Sequence, residues 1–89
     1  MKKVLVVCGN GLGSSFIVEM NVKNILKDMG AEAEVSHTDL TTAKSEPADL
    51  YIGSKDLVGN LEDGTKTVEG LTNILDQNEL RSVLEKHFQ

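Results

Sequence analysis

The sequence predicts an α/β fold, a single three-layer domain whose four-stranded parallel sheet, ordered 2-1-3-4, is flanked by helices. Two observations support this prediction. Short apolar runs alternate with helical segments, as in right-handed βαβ crossovers, and residues 4–8 form a continuous apolar run typical of a strand buried on both faces. The 89 residues include one proline and no repeats, so we expect residues 1–89 to form one domain.

The first strand is predicted at residues 2–8, and the first helix follows the glycine-rich stretch that ends at Ser15. Helical periodicity continues to Met29, and Gly30 is expected to end the helix as its C-terminal cap. The apolar stripe of this helix comprises Val18, Val22, Ile25 and Met29.

The second strand is predicted at residues 31–37, where Glu32 and Glu34 alternate with small or apolar residues. Such alternation indicates one solvated face and a place near the edge of the sheet. Residues 38–47 are expected to form a polar connection to the third strand.

The third strand is predicted at residues 49–53, a short apolar run that ends in glycine. A short helix is expected at residues 55–60, then a turn at residues 63–64. Residues 65–68 form a weaker candidate for the fourth strand.

The C-terminal helix has a clear start signal. Asp76 and Glu79 fit a capping box, and Leu75 with Leu80 fits a hydrophobic staple. The residues predicted to share one face of this helix are Leu80, Val83, Leu84, His87 and Phe88. His87 is therefore assigned to the packing of the helix.

Composition and charge exclude several classes of function. The 9 basic and 14 acidic residues give a net charge of -5, so the broad positive surface of a nucleic-acid-binding protein is missing. The apolar run 4–8 is far shorter than a membrane span of about 18 residues or a signal-peptide core, which predicts a cytoplasmic protein. A single cysteine cannot form an intrachain disulfide, in agreement with a reducing compartment.

Cys8 and the loop after it are the most informative part of the sequence. The residues of this loop are Gly9, Asn10, Gly11, Leu12, Gly13, Ser14 and Ser15. Glycines allow successive backbone N–H groups to turn inward, and the start of the helix adds unpaired donors and the positive end of its dipole. The loop therefore predicts a site for a phosphate-sized dianion, whose donors also favour the nucleophilic thiolate of Cys8.

Other uses of a glycine loop do not fit the spacing. Ser14 stands where the dinucleotide fingerprint has its third glycine, and no Walker lysine occurs between Lys3 and Lys23. One cysteine and two separated histidines give no recognisable metal-ligand set, so we expect neither a cofactor nor a metal. The alternative that Cys8 is merely a small buried residue explains neither the alternating glycines nor the two hydroxyls.

Five residues separate Cys8 from Ser14-Ser15. This spacing resembles the phosphate loop of low-molecular-weight protein tyrosine phosphatases, in which the cysteine is followed, after five residues, by Arg and then by Ser or Thr. Here Ser14 stands in the arginine position. Because that guanidinium clamps the phosphoryl group during hydrolysis, a loop without it is better suited to receive a phosphoryl group and pass it on.

Residues 7–15, followed by Val18-Glu19-Met20, resemble the ascorbate-type enzyme IIB components of the bacterial phosphoenolpyruvate-dependent sugar phosphotransferase system, a branch related to the galactitol type. The resemblance implies that Cys8 accepts a phosphoryl group from a phosphohistidine of the IIA partner. It also implies transfer to a sugar, with ascorbate favoured, held by the membrane IIC transporter, which recruits the domain to the inner face of the membrane. Backbone amides of residues 9–15 and both serine hydroxyls would hold the phosphoryl oxygens while the serines cap the helix.

Four further residues are secondary candidates. Phe16 and Met20 lie opposite the buried stripe and are predicted to dock a partner, the alternative being that they pack on the C-terminal helix. His37 leaves the second strand, but it is not expected to accept phosphoryl because Cys8 already provides a carrier. Lys55 leaves the third strand and either replaces part of the missing arginine charge or is simply solvated.

Two other functions stay open at this point. A small cysteine phosphatase would release inorganic phosphate, whereas a non-enzymatic anion-binding or regulatory module would leave Cys8 unmodified. Within the carrier hypothesis, galactitol or another pentitol is the alternative to ascorbate.

Overall fold

A computed structural model describes residues 2–8, 12–61, 64 and 66–88, with the backbone alone at residues 8, 12–15 and 60. Strands and helices alternate along this part of the chain. In order they are β1 Lys2–Cys8, α1 Leu12–Met29, β2 Ala33–Asp39, α2 Leu40–Ala43, β3 Leu50–Ser54, α3 Lys55–Val58, a 3-10 turn Gly59–Leu61, β4 Val68–Leu71 and α4 Gln77–Phe88. None of the helices described has the length and apolar content that crossing a bilayer requires.

The strands form a parallel sheet in the order β2-β1-β3-β4, which confirms the predicted α/β class and strand order. In the central pairing, Val4 of β1 lies opposite both Val35 of β2 and Leu50 of β3. β1 is thus paired on both sides, and its residues Val4, Leu5, Val6 and Val7 are at most 1% exposed. The continuous apolar run reflects this double burial.

Helices cover both faces of the sheet, which makes three layers. On one face, Val6 and Ile52 belong to a core cluster with side chains of α1 and α4. On the other face, Val7 and Tyr51 belong to a second cluster with Ala43 of α2, Val58 of α3 and Leu61. Burial of a side chain of this size contributes about 1.5–3 kcal/mol, so both clusters stabilise the sheet.

Helix α1 confirms the predicted stripe, because Val18, Val22 and Ile25 are buried and Met29 packs against them. Its C-terminus has the Schellman pattern: the N–H of Gly30 donates to Lys27 O, and that of Ala31 donates to Leu26 O. Gly30 has φ 74, a conformation that favours glycine, which confirms it as the cap.

The start of α1 differs from the prediction. The helix begins at Leu12, so Ser14 and Ser15 belong to its first turn and the prediction that they precede and cap the helix is wrong. An N-cap residue precedes the first helical residue, and that place falls on residue 11, outside the described residues. The last four residues of the predicted loop, residues 12–15, are therefore helical.

The segment predicted as a polar connection, residues 38–47, contains regular structure. β2 continues to Asp39, and α2 follows at once. The Asp39 carboxylate accepts a hydrogen bond from Thr42 N at 2.8 Å and caps α2, while Ala43 is fully buried. The predicted solvated face of β2 is confirmed at Glu34, which is exposed like Glu32 just before the strand, whereas Ala33 and Val35 pack against the core.

β3 and α3 lie where the sequence predicts them, within one residue at their starts. β4 spans Val68–Leu71, so the prediction of residues 65–68 was wrong except at its last residue. The predicted turn at residues 63–64 falls partly outside the described residues; Gly64 has φ 87.

The start of α4 confirms half of its predicted signal. Asp76 Oδ1 accepts hydrogen bonds from Asn78 N and Glu79 N, as an N-cap does. The reciprocal bond of a capping box is not made, because Glu79 instead accepts from Thr72 N and Asn73 N in the preceding loop. This ties α4 to the end of β4.

The staple prediction was wrong as well, since Leu75 is 54% exposed whereas Ile74 packs against the core. The apolar face of α4 is confirmed by Leu80 and Leu84, both fully buried. Val83 and Phe88 pack beside them.

The first and last described residues lie side by side. Lys2 Nζ donates a hydrogen bond to His87 O at 3.2 Å and lies 5.4 Å from the centre of the Phe88 ring. A cation at the C-terminus of α4 complements the helix dipole.

Candidate functional site

Cys8 ends β1 at the middle of the carboxyl edge of the sheet. Its backbone pairs with Asp39 at the end of β2, and the preceding residue, Val7, pairs with Gly53 of β3. Ligands of open parallel sheets collect at this edge. The predicted nucleophile thus stands between two neighbouring strands at the place where such folds bind their ligands.

Helix α1 begins at Leu12, four positions after Cys8. The first N–H groups of a helix have no partner within it, and the dipole adds partial positive charge there. No acidic residue occurs in the first turn of α1, so nothing in that turn offsets this charge. The arrangement suits an anion held beside residue 8.

The predicted phosphate-binding residues divide into two groups. Leu12, Gly13, Ser14 and Ser15 form the first turn of α1, as backbone. Gly9, Asn10 and Gly11 lie outside the described residues, as do the side chains of Cys8 and of the two serines. Their role in binding phosphate stays a prediction.

Gly53 provides a close contact that sequence analysis missed. A Cβ placed there would lie 2.6 Å from Val7 O and 2.7 Å from Val58 Cγ1. Only glycine lets β3 and α3 lie this near to the backbone that leads into Cys8. The available signal was the glycine that ends the apolar run of the third strand.

The side chain of Asp39, the backbone partner of Cys8, caps the N-terminus of α2. Hydrogen bonds from the side chain and the N–H of Thr42 hold the pKa of the Asp39 carboxyl below its usual value. The carboxylate is therefore ionised near neutral pH and is directed to the N-terminus of a neighbouring helix.

A three-residue cluster joins α1 to β2. Glu19 Oε1 bonds to His37 Nδ1, and Glu19 Oε2 lies 3.0 Å from Lys23 Nζ. Burial raises the pKa of Glu19, but hydrogen bonds and charges from His37 and Lys23 outweigh it and lower that pKa overall. The spacing of Glu19 and Lys23 is visible in the sequence, whereas the contact with His37 is not.

The outer face of α1 carries exposed apolar side chains near the start of the helix. Phe16 is 56% exposed, Ile17 48% and Met20 49%. The predicted exposure of Phe16 and Met20 is confirmed, and the alternative that they pack on α4 is wrong. We call Phe16, Ile17 and Met20 the α1 patch; sequence analysis missed Ile17.

Lys55 and His87 complete the predicted candidates. Lys55 opens α3, and its Cα is so near β4 that a Cβ on Gly70 would approach it to 2.8 Å. Its service in place of an arginine stays a prediction. His87 Nε2 lies 2.6 Å from Glu69 Oε2 of β4, which confirms its assignment to packing.

Among the side chains described, no three of His, Cys, Asp or Glu come together as a metal ion would require.

Comparison with known proteins gives consistent matches. Residues 3–86 match the protein family described as PTS system, Lactose/Cellobiose specific IIB subunit. The chain is similar to the ascorbate-specific PTS system EIIB component of Mycoplasma pneumoniae, with 30% identity over 86 residues that cover 93% of this chain and 90% of the relative. Proteins of the same name from Salmonella typhimurium and Escherichia coli O157:H7 are each 34% identical over 93 residues, covering 97% of this chain and 92% of the relative.

Proposed function

Because the chain belongs to the family of PTS system IIB subunits, a phosphotransferase component that works with IIA and IIC components, we propose that Cys8 is its phosphoryl carrier. Residues 1–89 form the IIB domain in this proposal. The observation that carries it is the position of Cys8, at the carboxyl edge of the sheet and four positions before the start of α1.

Phosphoryl transfer then proceeds in two steps. The Cys8 thiolate attacks the phosphorus of a phosphohistidine on IIA, so an S–P bond forms, the N–P bond breaks and the imidazole keeps the electron pair. In the second step a sugar hydroxyl oxygen attacks the same phosphorus. An O–P bond forms, the S–P bond breaks with its electron pair left on sulfur, the hydroxyl proton passes to water, and the Cys8 thiolate is restored.

Residues 9–15 bind the phosphoryl oxygens throughout both steps. The backbone N–H groups of Gly9, Asn10, Gly11, Leu12, Gly13, Ser14 and Ser15 are the donors, supplemented by the two serine hydroxyls. These donors and the dipole of α1 stabilise the charge that develops on the transferring group. The unopposed N-terminus of α1 supports this assignment.

Ser14 in place of an arginine favours a carrier over a phosphatase. A guanidinium would stabilise attack by water on the phosphocysteine as well as attack by a sugar. Without that group the intermediate lasts until an acceptor arrives, so the phosphoryl group is conserved.

The α1 patch docks the IIA partner in this proposal. Phe16, Ile17 and Met20 lie on the turns of α1 that follow its N-terminus, so a protein seated there reaches the loop beside Cys8. The membrane IIC transporter meets the same edge of the sheet, at the inner face of the membrane, and holds the sugar. The domain itself is cytoplasmic.

Ascorbate is the substrate we propose for the complete system. The support is the similarity, over nearly the whole chain, to relatives named ascorbate-specific PTS system EIIB component. Galactitol or another pentitol is the alternative, because the IIC transporter supplies most of the sugar pocket.

Transfer of labelled phosphate tests the proposal. Phosphoenolpyruvate, the general phosphotransferase proteins and an ascorbate-type IIA are incubated with the chain, with Cys8→Ser alongside. We expect label on the wild-type chain and none on the variant, and discharge onto ascorbate when membranes with the matching IIC are added. Release as inorganic phosphate before IIC is added would indicate a phosphatase, and absence of label with several IIA donors would indicate a binding module.

A further inference from the structure

We propose that Glu19 and His37 are positioning residues that fix the first turns of α1 against the sheet beside Cys8. The effect on the rate of phosphoryl transfer rests on the proposed function, whereas the placement of α1 does not. Neither residue touches the phosphoryl group; both act through the placement of the helix.

The bond between Glu19 and His37 lies near the end of the sheet at which Cys8 stands. His37 is paired with Val6, two positions before Cys8, and it stands two positions before Asp39, the backbone partner of Cys8. Glu19 lies one helical turn beyond Ser15, about 6 Å along the helix axis. The bond between Glu19 and His37 therefore joins the early part of α1 to the end of β2.

The apolar core does not by itself determine how α1 is rotated on the sheet or how far it lies along it. Val18 and Val22 bury α1 against the sheet, but apolar contacts do not by themselves fix the rotation or the longitudinal position of a helix. A carboxylate bonded to an imidazole has a preferred direction and distance, so it selects one placement.

The surroundings of Glu19 hold its carboxylate in place. The Glu19 side chain is only 12% exposed, and Lys23 Nζ lies 3.0 Å from the oxygen that His37 does not bond. Each oxygen of the Glu19 carboxylate thus has its own partner. Removal of His37 would leave Oε1, a largely buried hydrogen-bond acceptor, without the partner that it has here.

A comparable pair elsewhere in the fold provides a matched control. His87 Nε2 lies 2.6 Å from Glu69 Oε2, and Lys86 Nζ lies 3.2 Å from the same oxygen. This pair also joins a helix to a strand, but through α4 and β4, away from the first turn of α1. Its loss should lower stability without changing the placement of α1.

The test is a double-mutant cycle on phosphoryl transfer. The variants are Glu19→Ala, His37→Ala, the double variant and His87→Ala, each checked for folding by circular dichroism. Glu19→Gln and His37→Gln, which keep the side-chain volume better, replace either alanine variant that does not fold. Single-turnover transfer from phosphorylated IIA to Cys8 is measured over a range of IIA concentrations.

We expect each single variant to lower the maximal rate about tenfold, with the IIA concentration for half-maximal rate unchanged. The double variant should be no slower than the slower single variant, because the two residues act as one unit. His87→Ala should transfer at the wild-type rate. Independent, multiplicative losses, label on His37 or an equal loss in His87→Ala would each overturn the proposal.

A second readout needs no phosphoryl donor. The alkylation rate of the Cys8 thiol by iodoacetamide reports the surroundings of the sulfur. We expect this rate to change at least threefold in Glu19→Ala and His37→Ala and to stay constant in His87→Ala. If the wild-type chain is never labelled, the carrier function fails while such a change still supports positioning; an alkylation rate unchanged in all variants overturns the positioning itself.

Discussion

Gly53 and Val7 approach each other so closely that no side chain fits between them. A Cβ on Gly53 would lie 2.6 Å from the carbonyl oxygen of Val7, which immediately precedes Cys8. The contact connects the packing of β3 to the backbone of the site.

Gly53→Ala is expected to destabilise the fold by about 2–3 kcal/mol, because the added methyl group overlaps Val7 O and Val58 Cγ1 and neither can move freely. Urea unfolding followed by circular dichroism measures the loss. Gly59→Ala is the matched control, since a Cβ there meets nothing within 4 Å and the residue already has φ -55. That variant should be neutral or more stable by about 0.5 kcal/mol; equal losses in the two variants would contradict the explanation.

Glu69→Gln is expected to lower stability near neutral pH by about 1 kcal/mol and to change its dependence on pH. Burial raises the pKa of Glu69, but bonds and charges from His87 and Lys86 lower it overall, below its usual value of 4.5. The pair therefore stabilises the fold fully above pH 4.5, and this contribution is lost as pH falls through the lower pKa of the folded state.

Unfolding midpoints measured between pH 3 and pH 7 test this prediction. The difference between wild type and Glu69→Gln should be largest near neutrality and should shrink on acidification. Glu34→Gln, on the exposed face of β2, serves as the control and should follow the wild-type curve. A constant difference across the whole range would show that Glu69 contributes through packing alone.

Replacement of Phe16 and Met20 by serine and glutamine is expected to raise the IIA concentration for half-maximal phosphoryl transfer at least fivefold. Both side chains are about half exposed, so their loss should leave the unfolding temperature within about 2 °C of wild type. The comparison variant is Leu75→Gln, because Leu75 is 54% exposed and lies before α4. An unchanged transfer curve in the Phe16 and Met20 variant would remove the α1 patch as the docking surface.

Asp39→Ala is expected to lower the unfolding midpoint, because Thr42 N loses its acceptor at the start of α2. Asp39→Asn should restore most of the loss, since asparagine caps helices well without a negative charge. Thermal unfolding of the three proteins provides the measurement. If Asp39→Asn lowers the unfolding midpoint as much as Asp39→Ala does, the negative charge of Asp39 contributes to stability in addition to its hydrogen bond with Thr42 N.

The sequence predicts those parts of the fold that local patterns determine. Apolar runs locate β1 and β3, the stripe that includes Val18 and Val22 locates α1, and Gly30 marks its end. β4 was misplaced because Gly70 weakens the appearance of a strand; the glycine is needed there because Lys55 of α3 comes so near. That requirement exists only in the assembled domain.

The candidate site is likewise predictable where local sequence patterns determine it. The run from Cys8 into the glycine loop identifies the candidate nucleophile, and the topology places it at the carboxyl edge of the sheet. The bond between Glu19 and His37 joins residues 18 positions apart and depends on how α1 lies on β2. Neither periodicity nor spacing carries that information, so the sequence alone left His37 without a role.

The contact of Lys2 with His87 and Phe88 sets the geometry of any covalent tether. These residues meet at the amino end of β1, whereas Cys8 lies at its carboxyl end, about 20 Å away for a strand of seven residues. A linker attached beside Lys2 or Phe88 would leave from the edge of the sheet opposite to the one at which β1 ends. Fusion to another polypeptide, or circular permutation through these neighbouring positions, would therefore keep the carboxyl edge of the sheet unobstructed.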